Sequence, residues 1–182
     1  MGSDKSRLLF NGETFIERIA RILQGFAQTV SVVGQRSEYA GLRNVEDVYQ
    51  KWGALGGLHA ALAACESEWA AVIACDLPFV TVELFLHMLA LRNGFDAVVP
   101  VQADGIPQPL CGLYRIDPCL KQADSLIRSS QRRPLDLLQS VNTRWVRFAE
   151  IENLDHAGKF FVNINTPEDY YEATRNPATI ET

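Results

Sequence analysis

The chain has 182 residues, and its 17 Lys and Arg against 22 Asp and Glu give a formal net charge of −5 at pH 7. Phosphate backbones are bound by clustered Lys and Arg, so this balance argues against a nucleic-acid-binding protein. Hydrophobic residues at 47% and charged residues at 21% are close to the averages for globular domains, and the length suits one domain spanning residues 1–182. No apolar run approaches the roughly 20 residues of a membrane-spanning helix, so we expect no membrane partner.

The cysteines and histidines of the sequence form no recognisable catalytic or metal-binding motif. Cys65, Cys75, Cys111 and Cys119 form no C-x-x-C pair and have no His at metal-ligand spacing, so we expect reduced core thiols. No secretory signal opens the chain, which together with the thiols predicts a cytoplasmic protein. The three histidines lie far from any Ser or Cys motif, which argues against a His-dependent nucleophile.

Hydrophobic periodicity predicts alternating helices and strands. In chain order the expected elements are a helix at 14–26, strands at 29–33 and before Asp47, a helix at about 56–65, a strand at 69–75, a helix at 82–91, strands at 97–101 and 110–114, helices at about 119–129 and 134–140, strands at 144–148 and 160–162, and a helix after Pro167. The continuously apolar 69–75 segment is typical of a strand covered on both faces of a parallel sheet. We therefore expect a doubly wound, mostly parallel α/β sheet flanked by helices, with ligands beyond the carboxyl ends of its strands.

The opening of the chain departs from that architecture. A polar segment, residues 1–7, leads almost directly into the first helix. An α/β unit with a buried parallel sheet usually begins with a strand, and no such strand is evident in this segment.

Asp76 is the strongest single candidate for a site residue. It ends the buried strand and precedes Leu77-Pro78, where a carboxylate is well placed to hold Mg²⁺ beside substrate phosphates. An Asp that only caps the turn before the next helix would have the same position.

Each of the other candidate site residues also has a possible role that involves no ligand. Glycines in the 53–58 segment can expose backbone amides to an anion, or form an ordinary tight turn. Lys5 can neutralise a phosphate or be a solvated tail lysine. Asp47 can contact a ribose, a cation or water. Thr166 and Pro167 fit a helix start, which leaves Asn163 and Asn165, facing the same way at i and i+2, without a structural role.

Six segments in order resemble the molybdenum cofactor guanylyltransferase family, and the resemblance spans nearly the whole chain. They are M-G-S-D-K at 1–5, E-D at 46–47, G-A-L-G-G-L at 53–58, A-C-D-L-P at 74–78, Q-P-L-C-G-L-Y at 108–114 and F-V-N-I-N-T-P-E at 161–168. The C-D-L-P and V-N-I-N-T-P segments are the most specific of these.

The resemblance implies a nucleotidyltransferase variant of the doubly wound sheet, which transfers GMP from GTP to molybdopterin carrying molybdenum and releases pyrophosphate. It implies that Asp76 holds Mg²⁺, that Lys5 contacts the phosphates of GTP and that Asp47 helps to hold the nucleotide. Asn163 and Asn165 match the segment on the molybdopterin side, where Arg132 and Arg133 form a looser match. Molybdenum-insertion proteins and recipient molybdoenzymes are the protein partners that it implies.

One departure from the family lies at the start. Family members open with a strand and a glycine-rich loop of the form L-A-G-G-x-S-x-R-M-G-x-D-K, of which this chain has only M-G-S-D-K. One hypothesis is that the start is assigned to an internal methionine, so that the coding DNA upstream encodes the strand and loop. The other is that the short form is real and has lost a central strand. Such a loss should expose the apolar residues beside that strand and weaken both folding and GTP binding.

Two other functions compete with guanylyl transfer. A cytidylyltransferase acting on the same pterin has the same fold, but the 108–114 segment is more similar to the guanylyl branch than to the Gly-His-Pro segment of the cytidylyl branch. A non-catalytic module that binds the pterin without nucleotide is the alternative from a different class.

Overall fold

The computed structural model describes residues 9–10, 12–34, 42–164, 166, 169 and 171. Its helices are α1 Phe15–Gln24, α2 Gly53–Ala63, α3 Val82–Ala90, α4 Ile116–Arg128, α5 Pro134–Ser140 and α6 Phe148–Ile151, with a 3-10 helix at Ala157–Lys159. Its strands are β1 Leu9–Phe10, β2 Glu13–Thr14, β3 Ser31–Val33, β4 Arg43–Val45, β5 Trp69–Ile73, β6 Ala97–Pro100, β7 Cys111–Arg115 and β8 Thr143–Val146. The helix expected after Pro167 lies largely outside the described residues.

Local sequence signals explain where the helices begin. Thr14 and Glu17 form a capping box at the start of α1, because the Thr14 hydroxyl accepts from the Glu17 amide at 3.3 Å and the Glu17 carboxylate accepts from the Thr14 amide at 2.8 Å. Thr81 caps α3 through the Leu84 amide. Pro134 occupies the first turn of α5, where the missing amide hydrogen costs nothing.

The strands form two main sheets and a hairpin. The larger sheet has the order β5-β7-β6-β8, in which β7 is antiparallel to both neighbours and β6 is parallel to β8. β3 and β4 form a separate parallel pair, and β1 and β2 an antiparallel hairpin. The expected α/β class is confirmed, and the sheet is mixed. Within the described residues β5 pairs with β7, which is antiparallel to it. A continuously apolar strand indicates burial on both faces, and it does not indicate the direction of the neighbouring strand.

Side chains on the two faces of the larger sheet belong to two separate cores. Along β6, Val98 belongs to one core while Ala97 and Val99 belong to the other, as expected from alternation along a strand. α1 and α3 contribute to the core with Val98, and α2, α4 and α5 contribute to the core with Ala97 and Val99. Helices therefore cover both faces of this sheet.

An apolar groove separates the two sheets between β3 and β5. It has a volume of about 420 Å³ and runs from α1 and β3 to α2 and β5, with Asp76 at its rim. Helix α2 contacts both β3 and β5, and so fixes the two sheets on either side of the groove.

Three sequence expectations were wrong or incomplete. Residues 160–162 form no strand, because the amides of Phe160 and Val162 bond locally to the carbonyls of Ala157 and Lys159. Cys111 and Cys119 are buried thiols whose pKa burial raises to about 12, whereas Cys75 is exposed and Cys65 half-buried. The hairpin of β1 and β2 was not predicted.

Among the helices of the described residues, none has both the length and the apolar character that crossing a membrane requires.

Candidate functional site

Asp76 lies three residues beyond the end of β5, in a turn that backbone hydrogen bonds stabilise. The Ala74 amide donates to the Leu110 carbonyl at 2.7 Å, which extends the pairing of β5 with β7, and the Leu77 amide donates back to Ala74 at 3.3 Å. Leu77 is 2% exposed, while Asp76 is only half-buried. Within the described residues the Asp76 carboxylate has no ion-pair partner, so it is available to a cation at the carboxyl end of the strand.

Arg18 ties this turn to α1. Its Nε donates to the carbonyl oxygen of Pro78 at 2.5 Å, and its Nη1 lies 3.5 Å from the carboxylate of Glu13. Burial is the main cause that lowers the pKa of Arg18, and Glu13 acts in the opposite direction. Sequence reasoning missed this positioning residue, since a charged residue in an amphipathic helix carries no signal of its distant partner.

The segment containing Asn163 lies directly beside Asp76. The amide of Ile164 donates to the backbone carbonyl of Asp76 at 3.0 Å, and the Ile164 side chain is fully buried. Burial of Ile164 therefore anchors the segment, and Asn163 is exposed next to that anchor. The structure thus brings together the two most specific motifs of the sequence. Asn165 lies outside the described residues, as does Lys5.

Asp47 follows β4 and is half-buried, and its Oδ1 is buried without a hydrogen-bond partner among the described residues. A buried carboxylate oxygen without a partner is costly, and a cation or a ligand donor would satisfy it. No hydrogen bond joins Asp47 to Asp76 within the described residues.

A polar cluster fixes the segment between Asp47 and α2. The Tyr49 hydroxyl donates to Oδ1 of Asp124 at 2.5 Å, and this hydrogen bond is the main cause that raises the pKa of Tyr49. The ring of His59 packs edge-on against Tyr49 at 4.9 Å, and its Nε2 lies 3.9 Å from Asp124. Burial lowers the pKa of His59, which favours the neutral imidazole. No local pattern in the sequence indicates this cluster.

Helix α2 begins at Gly53, three residues earlier than expected. Gly53 has φ +60, and Trp52 before it provides no side-chain cap, so the first amides of the helix have no side-chain acceptor from that position. A Cβ on Gly56 would lie 2.8 Å from the Cβ of Trp52, whereas one on Gly57 would meet nothing within 4 Å. Gly56 is thus required for packing, and Gly57 lines the groove.

Arg132 and Arg133 directly precede α5, and the guanidinium of each has a partner in the structure. The guanidinium of Arg132 lies 4.8 Å from the ring centre of Trp52, beside the start of α2. Arg133 pairs with Asp136 at 2.7 Å. No hydrogen bond joins either arginine to Asn163 within the described residues, so their grouping on one side of a substrate stays a prediction.

A divalent cation that is shared with a substrate needs few ligands from the protein. No group of three or more His, Cys, Asp or Glu positioned to hold a metal occurs among the described residues. Mg²⁺ is commonly held by one or two carboxylates together with substrate phosphates, so a complete protein cage is not needed. Asp76 and the partnerless Oδ1 of Asp47 provide ligands of that kind.

Two relatives carry the same descriptive name. A protein of Pelotomaculum thermopropionicum named probable molybdenum cofactor guanylyltransferase is 31% identical over 176 residues, which cover 95% of this chain and 85% of the relative. A protein of that name from Clostridium perfringens is 27% identical over 175 residues, which cover 94% and 88% of the two chains.

Solved structures share the fold. The molybdopterin-guanine dinucleotide biosynthesis protein A of Archaeoglobus fulgidus has a TM-score of 0.78 at 25% identity, over 97% of this chain and 92% of that one. The 2-C-methyl-D-erythritol 4-phosphate cytidylyltransferase of Thermus thermophilus has a TM-score of 0.71 at 17% identity, over 96% and 94%. Residues 1–143, well over half of the chain, match the MobA-like NTP transferase domain. The chain therefore belongs to the family of MobA-like NTP transferase domains and is a nucleotidyltransferase.

Proposed function

We propose that the chain transfers GMP from GTP to molybdopterin carrying molybdenum, with release of pyrophosphate. The observation that carries the proposal is the 3.0 Å hydrogen bond from the Ile164 amide to the Asp76 carbonyl, which brings the candidate metal ligand beside Asn163. The names of the relatives support the choice of substrates.

The chemistry needs no side-chain base. An oxygen of the terminal phosphate of molybdopterin is already an anion, and it attacks the α-phosphorus of GTP while the bond from that phosphorus to the bridging oxygen breaks. The electron pair of that bond leaves with pyrophosphate. Catalysis then rests on positioning and charge neutralisation, so the proposed reaction assigns no role to a histidine.

Each candidate residue has a distinct task in this reaction. Asp76 would hold Mg²⁺, which when bound offsets negative charge on the phosphates of GTP. Lys5 would add a second positive charge there, and Asp47 would hold the nucleotide. Asn163 and Asn165 would face molybdopterin, with Arg133 as a further anion contact. The proposal extends to molybdenum-insertion proteins and recipient molybdoenzymes as partners.

The experiment is a transfer assay with molybdenum-loaded molybdopterin, Mg²⁺ and GTP, CTP or ATP in separate reactions. We expect the guanine dinucleotide by mass spectrometry and one pyrophosphate per product with GTP. A product formed with CTP alone would instead identify a cytidylyltransferase. Binding of molybdopterin with no product from any nucleotide would identify a binding module.

A further inference from the structure

The segment that joins β4 to α2, residues 46–52, is neither helix nor strand, and it carries Asp47. Because it belongs to no helix or sheet, its position depends on side-chain contacts. Lys51 in this segment has φ +65, a left-handed conformation that is unfavourable for a residue with a Cβ. Such a conformation persists only where the surrounding structure fixes it. The contacts that fix the segment therefore also determine where Asp47 lies.

Tyr49 connects this segment to α4. Its hydroxyl donates to Oδ1 of Asp124 at 2.5 Å, and the other oxygen of that carboxylate lies 2.8 Å from Nε of Arg128. Its ring packs edge-on against His59, with 4.9 Å between the ring centres. A hydrogen bond to an ionised acceptor is stronger than one between neutral groups. Both the hydroxyl and the ring of Tyr49 are therefore held.

Asp47 lies between two points at which the chain is held. On the β4 side, the carbonyl of Val45 accepts a backbone amide hydrogen from the end of β3 at 3.1 Å. On the α2 side, Tyr49 follows Asp47 by two positions. Further along, Nη1 of Arg132 donates to the Lys51 carbonyl at 3.4 Å. Loss of the Tyr49 hydrogen bond would therefore free the chain after Asp47 as far as Lys51.

The carboxylate of Asp47 depends on these points because one of its oxygens, Oδ1, is buried and has no hydrogen-bond partner among the described residues. We propose that Tyr49, through Asp124, is a positioning residue that keeps this carboxylate in place for the nucleotide, an inference that rests on the proposed role of Asp47. A group that is already in place binds its ligand without first losing conformational freedom. Tyr49 itself contacts no nucleotide in this proposal.

The test compares the 182-residue chain with four variants. Tyr49→Phe removes only the hydroxyl, and Asp124→Asn keeps an oxygen that can accept from it. Asp47→Ala removes the positioned carboxylate, and the double variant combines it with Tyr49→Phe. Calorimetry gives the dissociation constant of GTP with Mg²⁺, the transfer assay gives KM and kcat, and hydrogen exchange without nucleotide follows the amides of residues 47–52.

We expect Tyr49→Phe to raise the dissociation constant and the KM for GTP about fivefold to tenfold and to change kcat less than about twofold, since Asp47 holds the nucleotide equally before and during the reaction. Exchange of the 47–52 amides should become at least about threefold faster. Asp124→Asn should keep most of the affinity. On top of Asp47→Ala, Tyr49→Phe should change the dissociation constant less than about twofold, because the carboxylate it positions is already gone.

An equal loss of affinity on Tyr49→Phe with and without Asp47 would overturn the proposal, because Tyr49 would then act through another group. Unchanged exchange of the 47–52 amides would overturn it too, as would a lower melting temperature with an unchanged KM, which is the result of a purely structural role. If the unmutated chain binds GTP but forms no product, only the proposed function is contradicted, since the binding and exchange results need no transfer. If the unmutated chain binds no GTP, both are contradicted.

Discussion

The sheet β5-β7-β6-β8 and the β3-β4 pair differ in how completely they are enclosed. β6 has every residue buried between two cores, whereas no residue of β3 or β4 is fully buried. The candidate site lies near the boundary, with Asp76 at the end of β5 and Asp47 just beyond β4. The enclosed sheet is therefore the scaffold, whereas the more exposed pair leads into Asp47, the residue that we propose holds the nucleotide.

The largest expected effect is on stability. Leu84→Ala removes a fully buried side chain and should cost about 3 kcal/mol in the free energy of unfolding. Leu23→Ala makes the same change at the half-buried groove wall and should cost about 1 kcal/mol or less. Urea unfolding of both variants measures the difference. Equal costs would mean that the groove is as well packed as the enclosed core.

The next effect concerns activity rather than stability. Asp76→Asn should lower the rate of transfer about a hundredfold or more while leaving the melting temperature nearly unchanged, since the carboxylate makes no ion pair among the described residues. The matched control is Asp117→Asn. Asp117 follows Arg115 at the end of β7, and Arg115 pairs with Trp69 at the start of β5, so Asp117 lies at the end of the sheet opposite to Asp76. Similar rate losses in both variants would contradict the role of Asp76.

Replacing each of two adjacent glycines of α2 by Ala should change the stability by a smaller amount, in opposite directions. Gly57→Ala should stabilise the protein by about 0.5–1 kcal/mol, because Ala favours helix and its Cβ meets nothing within 4 Å. Gly56→Ala should destabilise it by about 1–2 kcal/mol, because its Cβ would lie 2.8 Å from that of Trp52. Thermal unfolding distinguishes them. A gain in both variants would show that Trp52 and the segment before it can shift.

The smallest effect is the pH dependence due to His59. Burial lowers its pKa in the folded state below that of the unfolded chain, so the unfolded state binds a proton more readily. Its contribution is fully present above about pH 6.5 and is lost as the pH falls below that value. His59→Asn should flatten the decline in melting temperature between pH 7.5 and 5.5. A decline that is equally steep in His59→Asn and in the unmutated chain would contradict this account.

Most of the fold could be predicted because its signals are local. The bounds of α5 agree with the expectation, and α1, β5 and β7 lie within about three residues of it. Periodicity and capping residues fix such elements. The strand expected at 160–162 failed because Phe160 is buried by its side chain alone while its backbone bonds to Ala157. An apolar segment predicts burial, and it does not identify the backbone partner.

The candidate site was predictable only in part, since its contacts join distant positions. Asp76 and Asn163 stood out as residues that follow strands or open helices, but the hydrogen bond from Ile164 to Asp76 joins positions that are about half the chain length apart. Arg18 and the Tyr49 to Asp124 hydrogen bond also depend on distant partners that no local pattern specifies. The resemblance to a family supplied the order of the motifs, whereas the structure supplied their contacts.

The most direct test of the nucleotide site is the melting temperature of the chain with Mg²⁺ and GTP, CTP or ATP in turn. A ligand that binds only the folded state at a hundred times its dissociation constant stabilises a protein by about 2.7 kcal/mol, which is roughly 5–10 °C for a chain of this size. We predict a shift of that order with GTP that requires Mg²⁺, and a smaller one with CTP and ATP. No shift with any nucleotide, or equal shifts with all three, would contradict a guanine nucleotide site beside Asp76.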